Sequence, residues 1–279
     1  MHFTKYHGLG NDYLVIEPGD FSNPPDPAQI RKVCDRHYGA GSDGILLGPQ
    51  PSEKADFGLR IYNPDGSMAE KSGNGLRIFS RYLWDQGLLK RQGESSQPFT
   101  VETPGGVVRS QVFDNGRMVR IEMGQASFDS QIIPVSGPRR EVVDELISLE
   151  GTIYHYCAVS MGNPHCVLLC SEVSPAMATR LGPLVENEPR FPRRTNVQFL
   201  KVLDRENIEI EIWERGAGYT LASGSSSRAA TAAAYRLGLV GERVTVHMPG
   251  GELSIEIAPE LWITMTGPVE KVFEGQMEI

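Results

Sequence analysis

Apolar residues recur with helical spacing in three stretches of the chain. The first covers residues 26–37 and is followed by Gly39, a stop signal. The other two cover residues 74–86 and 225–237, and a glycine closes each of them. The pattern therefore predicts three amphipathic helices, of which the last is rich in alanine and suited to close packing.

Much of the remaining chain alternates between apolar and polar residues, the spacing of half-buried strands. Clear examples are residues 57–62, 118–123, 208–213 and 253–257. Turn sequences such as Pro-Gly-Gly and Asp-Asn-Gly lie between the alternating segments. The pattern predicts an α+β fold in which an antiparallel sheet wraps around a central helix in each lobe, and it does not favour βαβ units.

A segment of small residues stands directly before each of the last two predicted helices. Ser-Gly-Asn-Gly at residues 72–75 returns as Ser-Gly-Ser-Ser at residues 223–226, and we call these segments the first and second elbow. Three more segments return in the same order, residues 10–11 at 162–163, 61–63 at 212–214 and 100–106 at 245–251. The period is far longer than that of solenoid repeats. We therefore predict an internal duplication with one lobe at 1–118, completed by 266–279, and a second at 119–265.

Composition and charge narrow the class of protein. The 279 residues are enough for two ordinary domains, and the 40% hydrophobic and 22% charged content is typical of a globular protein. A net charge of −8 argues against nucleic acid or an acidic membrane as a partner. No apolar run approaches the roughly 20 residues that span a bilayer, and no signal peptide is evident. The expected location is the cytoplasm.

Two patterns raise the question of a metal or a cofactor. The four cysteines, with His155 and His165 near three of them, lack the paired spacing of a zinc site, so buried free thiols and no metal are predicted. Residues 39–44 form a literal G-x-G-x-x-G, but a helix precedes it and an apolar run follows it, the reverse of a dinucleotide site. A tight loop is the better interpretation.

The two elbows are therefore the candidate reactive positions. A serine before a helix is in most cases an N-cap, worth about 1 kcal/mol to the helix. Glycine and serine after the cap leave the N–H groups of the first turn open to a carboxylate or phosphate. Two such helix ends acting together would stabilise the negative charge that develops when a carbon next to a carboxylate loses its proton.

Seven motifs resemble the diaminopimelate epimerase family in sequence and in order, and together they extend over nearly the whole chain. They are residues 7–12, 36–44, 63–67, 73–75, 162–165, 194–197 and 214–218. The resemblance implies two pseudo-symmetric lobes with an active-site cleft between them, no cofactor, a homodimer and a place in lysine and other amino-acid biosynthesis. It also implies epimerisation of an amino-acid substrate at its α-carbon by two acid/base groups on opposite faces.

The same resemblance assigns roles to residues. Positions 72 and 223 carry the family's two catalytic cysteines, so Ser72 and Ser223 occupy the catalytic positions here. The turns that follow them bind the reacting carboxylate, and further positions bind the rest of the substrate. The implied substrate-binding set is Asn11, Asn63, Gly73, Asn74, Asn163, Asn196, Glu214, Arg215, Gly224 and Ser225.

Serine at both catalytic positions is a departure that bears on activity. A thiol with a pKa near 8.5 is available in both protonation states at neutral pH, whereas a serine hydroxyl is not. Altered activity is therefore expected. Tyr219 and Ser226 also depart from the family pattern, which favours natural divergence over two engineered substitutions.

Three interpretations stay open. The first is an amino-acid epimerase or racemase in which Ser72 and Ser223 orient a water or are activated by a neighbour such as Glu70 or Lys71. The second is a sister isomerase of the same fold, acting on a carboxylate that is not an amino acid. The third is an amino-acid-binding relative without catalysis.

Overall fold

The structure is a computed structural model, and it describes residues 1–21 and 25–278. The α-helices are α1 Pro27–Cys34, α2 Gly73–Asp85, α3 Pro175–Glu186 and α4 Gly224–Arg236, and short 3₁₀ segments lie at Pro18–Asp20, Asp114–Gly116 and Pro259–Leu261. All three predicted helices are confirmed, and those after the elbows begin and end one residue earlier than predicted.

Two differences in the helices have local causes. Helix α1 ends at Cys34 rather than at residue 37, because the Asp35 side chain accepts the backbone N–H groups of His37 and Tyr38 and so forms a turn in place of another helical turn. Helix α3 was not predicted. Its interior contains Gly182 and Pro183, two residues that ordinarily interrupt a helical pattern.

The strands of the first half of the chain are β1 His2–Gly8, β2 Asn11–Ile16, β3 Ile45–Gln50, β4 Phe57–Tyr62, β5 Met68–Ala69, β6 Arg91–Gln92, β7 Ser95–Ser96, β8 Phe99–Thr103, β9 Gly106–Phe113 and β10 Met118–Gln125. Those of the second half are β11 Glu145–Leu149, β12 Thr152–Ser160, β13 Pro164–Leu169, β14 Asn196–Val202, β15 Asn207–Glu214, β16 Gly218–Thr220, β17 Arg243–Met248, β18 Gly251–Ala258, β19 Trp262–Pro268 and β20 Glu270–Gln276. The four strands predicted from alternation are all present.

The chain divides into two compact units. Unit 1 comprises Met1–Glu122 and Thr266–Ile279, and unit 2 comprises Met123–Met265. In unit 1 the pairs β1–β2, β3–β4 and β8–β9 are antiparallel, whereas β2–β3 and β4–β8 are parallel. In unit 2 the pairs β12–β13, β14–β15 and β17–β18 are antiparallel, whereas β13–β14 and β15–β17 are parallel. The two units thus repeat one sequence of strand pairings.

The predicted α+β class is confirmed, but the pairing is mixed rather than purely antiparallel. Each parallel pair is joined by a helix, α1 and α2 in unit 1 and α3 and α4 in unit 2. A helical crossover brings the chain back to the same end of the sheet, so the next strand runs parallel to the first. Apolar periodicity carries no information about strand direction, which is why these βαβ connections were not predicted.

A central helix lies against the sheet in each unit. In unit 1, α2 contacts β1, β2, β3 and β9, and its buried residues include Leu76, Ile78 and Phe79. In unit 2, α4 contacts six strands and buries its five alanines completely. The flanking helices α1 and α3 pack on apolar side chains of the same sheets and so bury them from the opposite side.

The G-x-G-x-x-G segment is a tight loop between α1 and β3, as predicted. A Cβ at Gly39 would lie 2.0 Å from the Lys32 carbonyl oxygen, and one at Gly44 would lie 2.5 Å from the Tyr62 carbonyl oxygen. The glycines of this loop are therefore required by close packing of the backbone.

Candidate active site

Ser72 is the N-cap of α2, and its hydroxyl has two neighbours. Its backbone is extended, and its Oγ accepts the Gly75 backbone N–H at 3.0 Å. The hydroxyl of Tyr13, on β2, lies 3.3 Å from the same Oγ. A Cβ at Gly75 would lie 3.2 Å from Ser72 Oγ, so glycine is what lets the first turn come this close. The elbow therefore both caps the helix and presents a hydroxyl in contact with a phenol.

Ser223 repeats this geometry at the start of α4. Its Oγ accepts the Ser226 backbone N–H at a longer distance, 3.4 Å, and lies 3.3 Å from Ser225 Oγ. The side chain is buried. Gly73 and Asn74 open α2, and Gly224 and Ser225 open α4, so these four predicted site residues form the first helical turns.

A chain of side-chain hydrogen bonds runs beside the first elbow. Asn11 donates to Asp43 at 2.8 Å and accepts from Asn74 at 3.0 Å. Asn74 in turn accepts from Arg77 at 3.0 Å. Burial lowers the pKa of the fully buried Arg77 to about 10, so its guanidinium stays charged at neutral pH. The structure thus brings Asn11 and Asn74 together and places a positive charge one turn behind the elbow.

Ion pairs hold the loop that carries Asp43, the residue at the end of this series of hydrogen bonds. Arg36 bonds both Asp12 and Asp43, and Lys5 pairs with Asp12 at 2.7 Å. Burial raises the pKa of Asp12, but the hydrogen bonds from Arg36 and Lys5 outweigh it and bring the pKa down to about 2. Asp43, and through it Asn11, is therefore held by a charged network.

Asn63 lies in the turn between β4 and β5. Its amide donates to Ser67 Oγ at 2.9 Å, and its backbone N–H donates to the Ser67 carbonyl. The observed contacts of this predicted site residue are those of a turn former.

A second buried polar chain runs beside the second elbow. Asn163 Oδ1 lies 2.9 Å from His165 Nε2, and Gln198 donates to Ser226 Oγ at 2.9 Å. His165 and Gln198 lie close to each other. Burial, with the positive charge of Arg228 as a second cause, lowers the pKa of His165 to about 3. The imidazole is therefore neutral at physiological pH.

The turn that carries Glu214 and Arg215 is held from two sides. Asn196 donates to the Pro164 carbonyl at 2.9 Å and accepts the Arg215 backbone N–H at 3.0 Å. The buried Glu186 accepts from Trp213 Nε1 at 2.7 Å and from the Gly216 N–H at 3.0 Å. Arg215 itself donates to the Arg193 carbonyl at 3.0 Å. Asn196 therefore positions this turn, whatever else it binds.

Glu214 is the ionisable neighbour of Ser223. It is the last residue of β15, and burial raises the pKa of its carboxyl group, an effect that the nearby Ser223 hydroxyl offsets in part. Glu214 therefore lies near the second elbow.

Sequence reasoning missed Tyr13, Gln198 and Glu186. The repeat in the sequence could have identified Tyr13. It lies two residues after Asn11, as His165 lies two residues after Asn163 in the second copy of the motif. Gln198 and Glu186 lie far along the chain from the residues they contact, and no local pattern marks them.

The thiols and histidines are dispersed. Cys34, Cys157 and Cys166 are buried, and burial raises the pKa values of Cys157 and Cys170 to about 11. His155 pairs with Asp144 at 2.7 Å. Across residues 1–21 and 25–278, no group of three or more His, Cys, Asp or Glu side chains is placed to hold a metal ion.

A family model described as diaminopimelate epimerase matches residues 3–129 and 157–272. The chain belongs to the diaminopimelate epimerase family. It is 56% identical to diaminopimelate epimerase 2 of Nostoc sp. strain PCC 7120, over 99% of this chain and 95% of that protein. It is 44% identical to the diaminopimelate epimerase of Pelotomaculum thermopropionicum, over 99% and 98%.

The solved structure of a hydroxyproline epimerase from Agrobacterium vitis has the same fold. Its TM-score is 0.71 at 17% identity, with 99% of this chain and 90% of that chain covered. Membership in the diaminopimelate epimerase family confirms both the resemblance and the predicted enzyme class, an isomerase. Among the described residues, no helix is long and apolar enough to cross a membrane.

Proposed function

We propose that this chain is a cofactor-independent amino-acid epimerase of the diaminopimelate epimerase type, with Ser72 and Ser223 at the proton-transfer positions. The observation that carries the proposal is the pair of elbows. Each is an N-cap serine standing over a first turn of small residues, and each has an ionisable side chain as its neighbour.

The chemistry follows from the helix ends. Backbone N–H groups of the first turns of α2 and α4 bind the α-carboxylate, and the helix dipoles favour the extra negative charge that the carboxylate gains when the α-proton leaves. The buried guanidinium groups of Arg77 and Arg228 add positive charge behind these turns. We assign one elbow to removal of the proton and the other to its return on the opposite face of the α-carbon.

Serine makes this reaction slower than a thiol would. Each unit of pKa mismatch between base and carbon acid costs about 1.4 kcal/mol of the barrier. The helix ends and the binding residues are independent of that mismatch, so the geometry for holding the substrate is kept.

The proposed substrate is an amino acid that carries a second amino-acid head group, as the names of the relatives indicate. Asn63, Asn163 and Arg215 are the proposed contacts of that distal head, and Glu214 lines the site. Asn196 has already used one amide proton on Pro164, so its contribution to the substrate is its second amide proton.

Proton exchange in deuterium oxide tests the proposal. Diaminopimelate, lysine, histidine and glutamate are incubated with the enzyme, and deuterium at the α-carbon is measured by mass spectrometry. We expect exchange with diaminopimelate above the others, and at least a tenfold gain in the double variant Ser72→Cys/Ser223→Cys. Ser80→Cys is the matched control, since Ser80 is buried on α2 and its hydroxyl donates to the helix backbone at the Leu76 carbonyl.

Two outcomes contradict the proposal. Absence of exchange with every amino acid, in the wild type and in the double variant alike, excludes an epimerase. If calorimetry then shows tight amino-acid binding, the chain is a binding relative. An ultraviolet absorbance change with unsaturated di- or tricarboxylates, without exchange of amino acids, assigns it to a sister isomerase of the same fold.

A further inference from the structure

The Pro-Gly-Gly segments are a repeated motif to which the proposed function assigns no role. Each forms the turn of a hairpin, between β8 and β9 in unit 1 and between β17 and β18 in unit 2. We call residues 103–106 the first hairpin turn and residues 248–251 the second. The last glycine of each turn has a positive φ, 106° at Gly106 and 128° at Gly251. The two turns therefore share a backbone feature as well as a sequence.

Each hairpin turn is bonded to the backbone that leads into its elbow. The Gly105 N–H donates to the Glu70 carbonyl at 3.0 Å, and the Gly250 N–H donates to the Leu221 carbonyl at 2.8 Å. Glu70 and Leu221 each lie two residues before the elbow serine. The same hydrogen bond is thus present at the same place in both units.

The strand pairing brings each turn to this place. One edge of β4 pairs with β8 at residues 57–58 and with β5 at residues 61–62, and β8 is parallel to β4 whereas β5 is antiparallel. The corresponding edge of β15 pairs in the same way with β17 and β16. The two strands on each edge run towards each other. The turn that follows one strand therefore meets the residue that follows the other.

Close contact at the first hairpin turn requires glycine. A Cβ at Gly105 would lie 2.8 Å from Lys71 Cγ and 3.0 Å from the Glu70 carbonyl oxygen. The φ of Gly105 lies outside the left-handed region, so these contacts, rather than the backbone conformation, exclude a side chain. Lys71 directly precedes Ser72. The turn therefore packs against both residues that lead to the elbow serine.

In unit 2 the hairpin also contacts the helix behind the elbow. Ser227 Oγ, on α4, lies 3.2 Å from Met248 Sδ. Met248 is the last residue of β17 and the first of the second hairpin turn. The second elbow is thus contacted by its hairpin both before and after the serine.

We propose that the first hairpin turn positions the first elbow, with Gly105 as a positioning residue for Ser72. Helix α2 holds the serine from behind, and the bond from Gly105 to Glu70 holds the backbone in front of it. A displacement of about 1 Å in a reacting group can slow a reaction about 100-fold, so both supports bear on proton transfer. The catalytic part of this inference rests on the proposed function, whereas the structural part does not.

Backbone hydrogen–deuterium exchange tests the structural part. Wild type and Gly105→Ala are compared by mass spectrometry on peptides that contain Gly75 and Leu76, whose N–H groups bond Ser72. We expect these peptides to exchange at least fivefold faster in Gly105→Ala, because the new Cβ displaces Glu70 and loosens the backbone before Ser72. Peptides of the second elbow are the internal reference and are expected to keep the wild-type rate.

The kinetics of α-proton exchange in diaminopimelate test the catalytic part. In Gly105→Ala we expect kcat to fall at least tenfold while KM changes less than threefold, because Ser72 moves and the residues proposed for the distal head stay in place. Lys71→Ala removes the Cγ atom that the new Cβ would meet. Gly105→Ala is therefore expected to cost less kcat in the Lys71→Ala background than in the wild type.

Gly241→Ala is the matched control. The Gly241 N–H donates to the Arg205 carbonyl at 2.8 Å, a bond of the same kind in unit 2. A Cβ at Gly241 would lie 3.6 Å from that oxygen, an ordinary van der Waals distance. We expect this variant to keep the wild-type kcat and the wild-type amide exchange at both elbows.

The outcomes separate this inference from the proposed function. Wild-type amide exchange at the first elbow of Gly105→Ala, equal acceleration at both elbows, or a rise in KM with unchanged kcat overturns the inference. Absence of α-proton exchange by the wild type with every amino acid overturns the proposed function, and amide exchange then still decides whether the turn holds the elbow. If melting temperatures show that Gly105→Ala is unfolded, the double variant Gly105→Ala/Lys71→Ala, which lacks the 2.8 Å contact, takes its place in both measurements.

Discussion

A neutral imidazole buried in unit 2 makes the stability of the protein depend on pH. Burial lowers the pKa of His165 from 6.5 to about 3. Below pH 6.5 the unfolded chain binds a proton at this residue and the folded chain does not, so acid favours unfolding until the pH reaches about 3. This residue therefore contributes stability that is complete above pH 6.5 and is lost as the pH falls towards 3.

Between pH 6.5 and about 3, this effect is expected to lower the free energy of unfolding by about 1.4 kcal/mol per pH unit. Urea unfolding at pH 7, 6, 5 and 4 measures it, with His165→Gln as the variant that cannot titrate. We expect the unfolding free energy of the wild type to fall more steeply than that of His165→Gln. Parallel pH profiles would show that His165 gains a proton in the folded state.

Individual residues also show which structural features the sequence alone can predict. Ser72 and Ser223 were predicted as N-caps, because a cap depends on the next three residues only. Tyr13, which contacts Ser72, comes from a strand elsewhere in the chain, and only the fold brings it to the elbow. Local hydrogen bonds such as these N-caps can thus be predicted from the sequence, whereas contacts between residues from separate strands and helices cannot.

Close packing of helix α3 on strand β15 gives a prediction at the scale of elements. Gly182 faces Trp213, and a Cβ at this position would lie 2.4 Å from Trp213 Cγ. Helix propensity alone would make Gly182→Ala stabilising by up to about 1 kcal/mol. We expect overpacking to prevail and to destabilise the protein by about 1–3 kcal/mol, because moving Trp213 also strains its hydrogen bond to Glu186.

Chemical denaturation of Gly182→Ala measures this balance. Gly19→Ala is the matched control, since no described residue lies within 4 Å of a Cβ there, and we expect it to change stability by less than about 0.5 kcal/mol. A Gly182→Ala variant more stable than the wild type would show that α3 and β15 can move apart without a loss of stability.

Helix α3 also shows why apolar periodicity fails to predict some elements. The predicted helices α2 and α4 have uninterrupted amphipathic stretches after a capping serine, and their limits were predicted to within one residue. Helix α3 contains glycine because tryptophan requires the space, so a tertiary contact removed the local signal. Parallel pairing of β2 with β3 and of β13 with β14 follows from the helical connections, which alternation does not encode.

At the scale of the whole molecule, the repeat in sequence has a counterpart in strand order. Both units pair their strands in the same succession of antiparallel and parallel contacts around a central helix. The repeated motifs are turns and helix starts, where small residues are required by backbone geometry. Side chains between them have diverged, which is how Tyr13 and Glu214 come to differ from their counterparts His165 and Asn63.

This divergence gives a last prediction, which separates exchange from net conversion. An enzyme cannot change the equilibrium between two epimers, so any variant must lower kcat/KM for the forward and reverse conversions by one common factor. In the proposed mechanism, exchange without conversion uses one elbow only and is free of that constraint. Because the Tyr13 hydroxyl contacts Ser72, we expect Tyr13→Phe to slow conversion equally from either epimer, while its two exchange rates become unequal by at least tenfold.

Circular dichroism follows conversion from each pure epimer, and mass spectrometry follows exchange in the same samples. In the proposed mechanism, conversion needs both elbows in succession, so its rate is limited by the damaged one in either direction, whereas exchange reports each elbow separately. If exchange and conversion fell together by one factor for both epimers, removal and return of the proton would use the same groups. The chemical difference between the two units would then have no part in the reaction.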